Sequence, residues 1–240
     1  MRFMLKWFVL LSSALALLSV PAVAGLIIQH SGSTDPTTEG FSLFSGNSSA
    51  VPSDIGGVPA WHLDGGRDTT QMSYHFSGTD TSNLSGDWLI TANFRNLSTD
   101  TGSTTGPWVT FMLNNVRFDI GLYSDGNGNQ VLQANGFQSQ GPTYSIQGLG
   151  ANFALLQVAY NSTTHTANYY VNGNLAISGY AGGSNYFYDG LVFGADNGNF
   201  NLVKLETGGL PETSTPEPSS AVLIGLGGLA LAGFSRRRRT

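Results

Sequence analysis

The chain has 240 residues, of which only 10% are charged, and it contains 32 glycines but no cysteine; disulfide staples and thiolate chemistry are thereby excluded. Its basic residues are unevenly placed: Arg2, Lys6, Arg236, Arg237, Arg238 and Arg239 lie in the terminal segments, which leaves four basic residues against fourteen acidic ones between positions 35 and 212. So acidic a body argues against a nucleic-acid partner, because phosphate binding needs the opposite sign.

At the N-terminus, Arg2 and Lys6 precede an apolar run over residues 7–20, and Pro21-Ala22-Val23-Ala24 supplies a small-x-small cleavage site. These are the three parts of a secretory signal peptide, with Gly25 as the first mature residue. A permanent membrane anchor is the alternative, but it needs about 20 apolar residues, and Ser12 and Ser13 interrupt this run.

From residue 72 onward, apolar side chains recur at every second position, the signature of strands with one buried face. Met72, Tyr74 and Phe76 alternate with Gln71, Ser73 and His75, and Trp88, Ile90, Ala92 and Phe94 alternate with Thr91, Asn93 and Arg95. Val116, Phe118, Ile120 and Leu122 repeat the pattern against Arg117 and Asp119. Further strands are predicted at 108–113, 131–137, 153–160, 166–171, 175–178, 191–194 and 201–206, with 153–160 apolar on both faces and so interior to a sheet. Ten or more strands and no sustained helical period predict an all-β fold, two antiparallel sheets packed as a sandwich or jelly roll.

Two local signals stand out along this stretch. In Asp125-Gly126-Asn127-Gly128-Asn129, side-chain oxygens at alternate positions match the start of a calcium loop, with Asp125, Asn127 and Asn129 as ligands. Gln130 and Gly136 stand where such a loop needs Gly and Glu, and a plain turn of Asp, Gly and Asn is the favoured reading. In Tyr169-Tyr170-Val171-Asn172-Gly173-Asn174-Leu175, Asn-Gly between two strand runs is the preferred type I′ hairpin turn; with the strand before it, this predicts a three-strand meander.

Catalytic constellations are missing. The chain has no Gly-x-Ser-x-Gly elbow, no phosphate loop and no Glu-x-Asp-x-x-Glu cluster of closely placed carboxylates, and its four histidines lack metal-ligand spacing. A sugar site needs exposed aromatic faces beside amide and carboxylate groups, and residues 180–189 are the richest stretch of that kind. Tyr180, Asn185, Tyr186, Tyr188 and Asp189 are therefore the candidate ligand-binding residues, although each ring could equally fill the sandwich edge. Trp61 and Trp108 carry the same two readings, whereas Trp88 and Phe94, on an alternating strand, belong to the core.

At the C-terminus a polar spacer leads into Pro216-Glu217-Pro218, an apolar Gly/Ala/Leu stretch over 221–234, and the four arginines. Residues 219–234 as a helix would span about 24 Å, somewhat short of a hydrocarbon core of about 30 Å, with the arginines snorkelling to the headgroups on the cytoplasmic side. This ordered triple resembles the PEP-CTERM family of sorting signals. The resemblance implies Sec export, arrest in the inner membrane and cleavage near Pro216, Glu217 and Pro218 by the protease exosortase; a plain C-terminal anchor is the alternative.

The meander and the run Leu191-Val192-Phe193-Gly194-Ala195 that follows resemble the concanavalin A-like family of lectins and glucanases, above all its LamG-like members, over about residues 153–206. The expected division is a signal peptide at 1–24, a LamG-like β-sandwich at 25–207, a linker at 208–215 and a sorting signal at 216–240. The expected protein is a noncatalytic module at the surface or in the matrix of a Gram-negative bacterium, binding extracellular polysaccharide or another matrix component. It needs no cofactor unless calcium enters the Asp125 loop. A structural or adhesive protein of the exopolysaccharide matrix of a biofilm, without a specific ligand, and a diverged glycoside hydrolase are the alternatives.

Overall fold

The structure, a computed structural model, describes residues 25–45, 49–65, 72–78, 81, 84–98, 106–134, 141–184 and 190–208. Residues 1–24, expected to be a signal peptide, and the sorting segment lie outside the described residues, and among the described residues no helix is long and apolar enough to cross a membrane.

The alternation of apolar positions resolves into β1 (Gly25–Ser31), β2 (Ser42–Ser45), β3 (Ser49–Ile55), β4 (Val58–Asp64), β5 (Met72–Phe76), β6 (Trp88–Asn96), β7 (Trp108–Leu113) and β8 (Val116–Ser124). The chain continues through β9 (Gln130–Gln133), β10 (Thr143–Ile146), β11 (Ala154–Asn161), β12 (Thr166–Val171), β13 (Asn174–Tyr180), β14 (Gly183–Ser184), β15 (Gly190–Ala195) and β16 (Asn197–Thr207). One short 3-10 turn, Pro36–Glu39, is capped by Asp35, whose carboxylate accepts the Thr37 amide at 2.9 Å.

The strands form two eight-stranded antiparallel sheets packed as a concanavalin A-like sandwich. The first runs β13-β12-β11-β6-β16-β4-β3, with β1 also paired to β16; the second runs β10-β9-β8-β7-β15-β5-β2, with β14 beside β8. The core between them is filled by the alternating positions: Trp88, Ile90, Ala92 and Phe94 of β6 face Phe111 of β7 and Phe118, Ile120 and Leu122 of β8. β11 is interior, between β6 and β12, as its two apolar faces require.

The predicted meander is β11-β12-β13, and its second turn is of type I′: φ is 49° at Asn172 and 79° at Gly173. The Asn172 side chain also accepts the Leu155 amide at 3.0 Å, tying the turn to the neighbouring strand. A Cβ at Gly173 would meet nothing within 4 Å, so backbone strain alone opposes a side chain there. Gly173→Val is expected to cost on the order of 1–3 kcal/mol, read as a lower urea midpoint at constant m; a shift within about 0.5 kcal/mol would show that this turn does not set the register.

Candidate functional site

One register row crosses the first sheet at a single pole of the sandwich: Gly25 pairs Thr207, Thr207 pairs Trp88, Trp88 pairs Tyr160, Tyr160 pairs Ala167 and Ala167 pairs Tyr180. Both ends of the folded domain therefore leave from the same place, and Gly208 is held there by its amide donating to the Asp87 carbonyl at 2.8 Å. Because Trp88 and Tyr160 are cross-strand neighbours on the inner face, their rings stack at 4.9 Å with an interplanar angle of 6°. Beside them opens a cavity of about 490 Å³, walled by Leu113, Val116, Phe118 and Tyr160 and rimmed by Asn114, Ser162 and His165.

Tyr180 stands at this pole too, but it does not offer an open platform. Its ring meets Phe118 at 6.4 Å and Tyr169 at 6.0 Å, both edge-on, so it fills the edge of the sandwich where the chain passes from the first sheet to the second. Its neighbour Ala181 lines the cavity. Asn185, Tyr186, Tyr188 and Asp189, the other sugar-binding candidates, lie outside the described residues. Trp61 is buried and directs its indole N–H to the Tyr74 hydroxyl at 3.3 Å, which makes it core rather than platform.

Alternation on β8 leads one to expect one buried face and one solvated face, and the structure corrects this. Arg117 and Asp119 point away from the core, yet they are only 4% and 1% exposed. They lie against each other, with Arg117 Nε 2.9 Å from Asp119 Oδ2, and Thr110 joins them, its hydroxyl donating to Asp119 Oδ1 at 2.7 Å. Thr110 and Asp119 are a cross-strand pair, and the row continues through Val192 to His75. Three strand spacings of about 4.8 Å put His75 some 14 Å from Asp119, too far for a general base and its orienting carboxylate.

The Asp125 loop is closed on itself. One carboxylate oxygen of Asp125 accepts the amides of Asn127 and Asn129 at 2.7 and 3.1 Å, and the other accepts Asn129 Nδ2 at 2.8 Å. These bonds hold the Asp125 carboxyl below the ordinary aspartate range. Asn129 Oδ1 in turn accepts the Gly148 amide at 3.1 Å. The Asp125 and Asn129 oxygens that a cation would need already shape the turn, and among the described residues no group of three His, Cys, Asp or Glu converges.

His30 is a fully buried titratable group of the core. Its Nδ1 lies 2.6 Å from Glu39 Oε2, and its ring stacks on Phe193 at 5.3 Å. Burial lowers its pKa, outweighing Glu39 and Asp35, which raise it. Between the ordinary imidazole value of about 6.5 and the lower folded value, the unfolded chain binds the extra proton, so stability is lost as the pH is lowered through that window. Lowering the pH from about 7.5 to about 5.5 is expected to reduce the urea midpoint more steeply in the natural chain than in a His30→Gln variant. Identical slopes would show that His30 titrates alike in both states.

Comparison with known proteins places these observations. Residues 214–239 match the model described as the PEP-CTERM protein-sorting motif. No curated protein matches the chain. Among solved structures, a conserved carbohydrate esterase from the Shiga toxin-encoding bacteriophage phi24B superposes with a TM-score of 0.56 at 11% identity, covering 77% of this chain and 99% of its own. The botulinum neurotoxin type C structure, titled for its interaction with two ganglioside molecules, aligns at a TM-score of 0.49 and 15% identity over 78% of this chain, which spans about half of that one (49%). A protein of unknown function from Shewanella oneidensis MR-1 aligns at 0.48 and 12% identity over 82% of this chain and 92% of its own. Likeness at such identities concerns the fold. The chain is thus a concanavalin A-like β-sandwich followed by a PEP-CTERM protein-sorting motif, and that motif marks it for exosortase-dependent export and sorting to the cell surface.

Proposed function

We propose that this chain is a noncatalytic surface or matrix protein of a Gram-negative bacterium, exported by the Sec route, whose sandwich binds carbohydrate. The observation that carries the reading is the sorting motif at 214–239, a few residues beyond a domain whose two ends leave one pole together. Residues 209–215 reach at most about 25 Å when extended, so during sorting the domain stands close to the bilayer. The acidic balance of the body favours an uncharged polymer over a phosphate- or sulfate-rich one.

A hydrolase of the two-carboxylate type needs carboxyl groups about 5–9 Å apart. On the outer face of the second sheet, Asp119 is engaged by Arg117 and Thr110 and nearly sealed from solvent, which supports the noncatalytic reading. The same closure favours the second reading, a structural or adhesive matrix protein without a specific ligand, because Arg117 and Asp119, the charged pair of this face, are withdrawn from contact with a soluble glycan.

Replacing Arg236, Arg237, Arg238 and Arg239 by Ser removes the charges that hold the tail on the cytoplasmic side. The variant is expected to escape processing, with altered gel mobility and release into the medium; unchanged processing would count against the sorting mechanism. A glycan array probed with the processed natural protein, with and without calcium, separates binding from a purely structural role.

A further inference from the structure

We propose that the cavity at the terminal pole is a binding site for one uncharged sugar ring, the end of a neutral glycan, with Tyr160 as its stacking platform. The inference rests on the carbohydrate-binding reading above and gives it a place and a ligand class. A cavity of about 490 Å³ falls in the range of roughly 300–1,000 Å³ typical of small-ligand sites. Its composition suits a pyranose, which presents C–H groups on its faces and hydroxyls around its rim: Tyr160, Phe118, Leu113 and Val116 form apolar walls, and Asn114, Ser162 and His165 supply polar groups.

The platform is held before any ligand arrives. Trp88 backs the Tyr160 ring, Phe118 meets it edge-on at 5.5 Å, and the Tyr160 hydroxyl lies 3.2 Å from His165 Nδ1. This leaves His165 Nε2 as the ring nitrogen that Tyr160 does not use. Ser162 is fixed by Asp87, whose Oδ1 accepts its amide at 2.8 Å and its hydroxyl at 2.6 Å. The Ser162 oxygen, its proton already committed, can accept from a sugar hydroxyl. Little side-chain entropy is then lost on binding.

Charge decides the class of sugar. Neither Lys nor Arg lines the cavity among the described residues, and the nearby Asp87 carboxyl is held below the ordinary range by its bonds from Ser162. A uronic acid or sulfated sugar would therefore bring a negative charge to a carboxylate, with no cation to meet it.

The test uses the exported, processed protein and saturation-transfer NMR with free glucose, galactose, mannose, N-acetylglucosamine and glucuronic acid. At least one neutral sugar is expected to bind, glucuronic acid at least tenfold more weakly, and Tyr160→Ala should lose binding at least tenfold. Asn114 and His165 have φ of 51° and 55°, so Asn114→Gly and His165→Asn keep backbones suited to their turns. Each should weaken the same sugar several-fold while the urea midpoint stays near that of the natural chain, which keeps the test decisive if Tyr160→Ala unfolds. Binding of a neutral sugar unaffected by these variants would overturn the site and leave the carbohydrate reading standing. Equal binding of glucuronic acid would overturn the charge argument and the proposal with it. Binding of no sugar by the natural chain would overturn both.

Discussion

A chain ending at Asp196, without β16, is expected to lose the fold altogether. β16 is the spine of the first sheet: one edge pairs with β6 from Gly198 to Thr207, and the other pairs first with β4 at residues 197–200 and then with β1 at 202–207. Removing it strips three strands of partners and takes Phe200, Val203 and Leu205, all fully buried, out of the core. At about 1.5–3 kcal/mol for each buried side chain, this loss alone approaches the roughly 5–15 kcal/mol that holds a typical domain together. Far-ultraviolet circular dichroism and limited proteolysis of the shortened chain check it, and a protease-resistant, cooperatively unfolding β domain would overturn it. The consequence reaches export. The strand that completes the sheet ends seven residues before the motif at 214–239, so the sandwich can close only once nearly all of the chain ahead of that motif is free to fold.

The strands legible in the sequence are those whose one-face burial leaves an alternating trace. β6, β7 and β8, and the meander with its Asn172-Gly173 turn, lie where that trace predicts. The first four strands escaped it for separate reasons. The apolar start of β1, Gly-Leu-Ile-Ile, runs on from the apolar N-terminal stretch that reads as a signal peptide. β2 and β3 are the edges of their sheets, with Leu43, Phe44 and Val51 exposed and Pro52 within β3, a residue tolerated there because an edge strand can leave one side without donors. β4 follows the Gly56-Gly57 turn and contains Pro59, so it reads as loop. The first half of β16, Asn197-Gly198-Asn199-Phe200-Asn201, also has a turn's composition; its asparagines instead bond across strands, Asn199 to His62 at 2.7 Å and to Ser53 at 3.2 Å, and Asn201 to Asn93 at 3.0 Å.

The polar pole was less legible than the fold. Asn114, Ser162 and His165 sit on two hairpin tips about fifty residues apart and meet only because both hairpins end at the same pole. No spacing rule connects them. The one local trace is the non-glycine left-handed backbone at Asn114 and His165, and φ is not written in the sequence. Burial of Arg117 and Asp119 was hidden for a related reason: alternation tells which face of a strand a side chain takes, not whether that face is covered.

Trp88→Ala is expected to be the most damaging single substitution at this pole. The side chain is fully buried, meets Phe111 at 4.8 Å and Phe118 at 5.2 Å edge-on, and stacks on Tyr160. Truncating such a residue costs about 3–5 kcal/mol, through lost burial and the cavity left behind. Trp88→Phe separates the ring from its polar atom. The indole N–H is buried with no hydrogen-bond partner among the described residues, a burden of about 1–3 kcal/mol in the folded state. Phe discards that donor while keeping an aromatic face for Tyr160, so the relief offsets part of the volume lost, and the net change should stay within about 1.5 kcal/mol. Urea unfolding of the three proteins at constant m measures both differences. If Phe is as damaging as Ala, the N–H contributes a bond that holds the pole together; if Ala costs less than about 1 kcal/mol, the Trp88 side chain is not what packs the two sheets at this end.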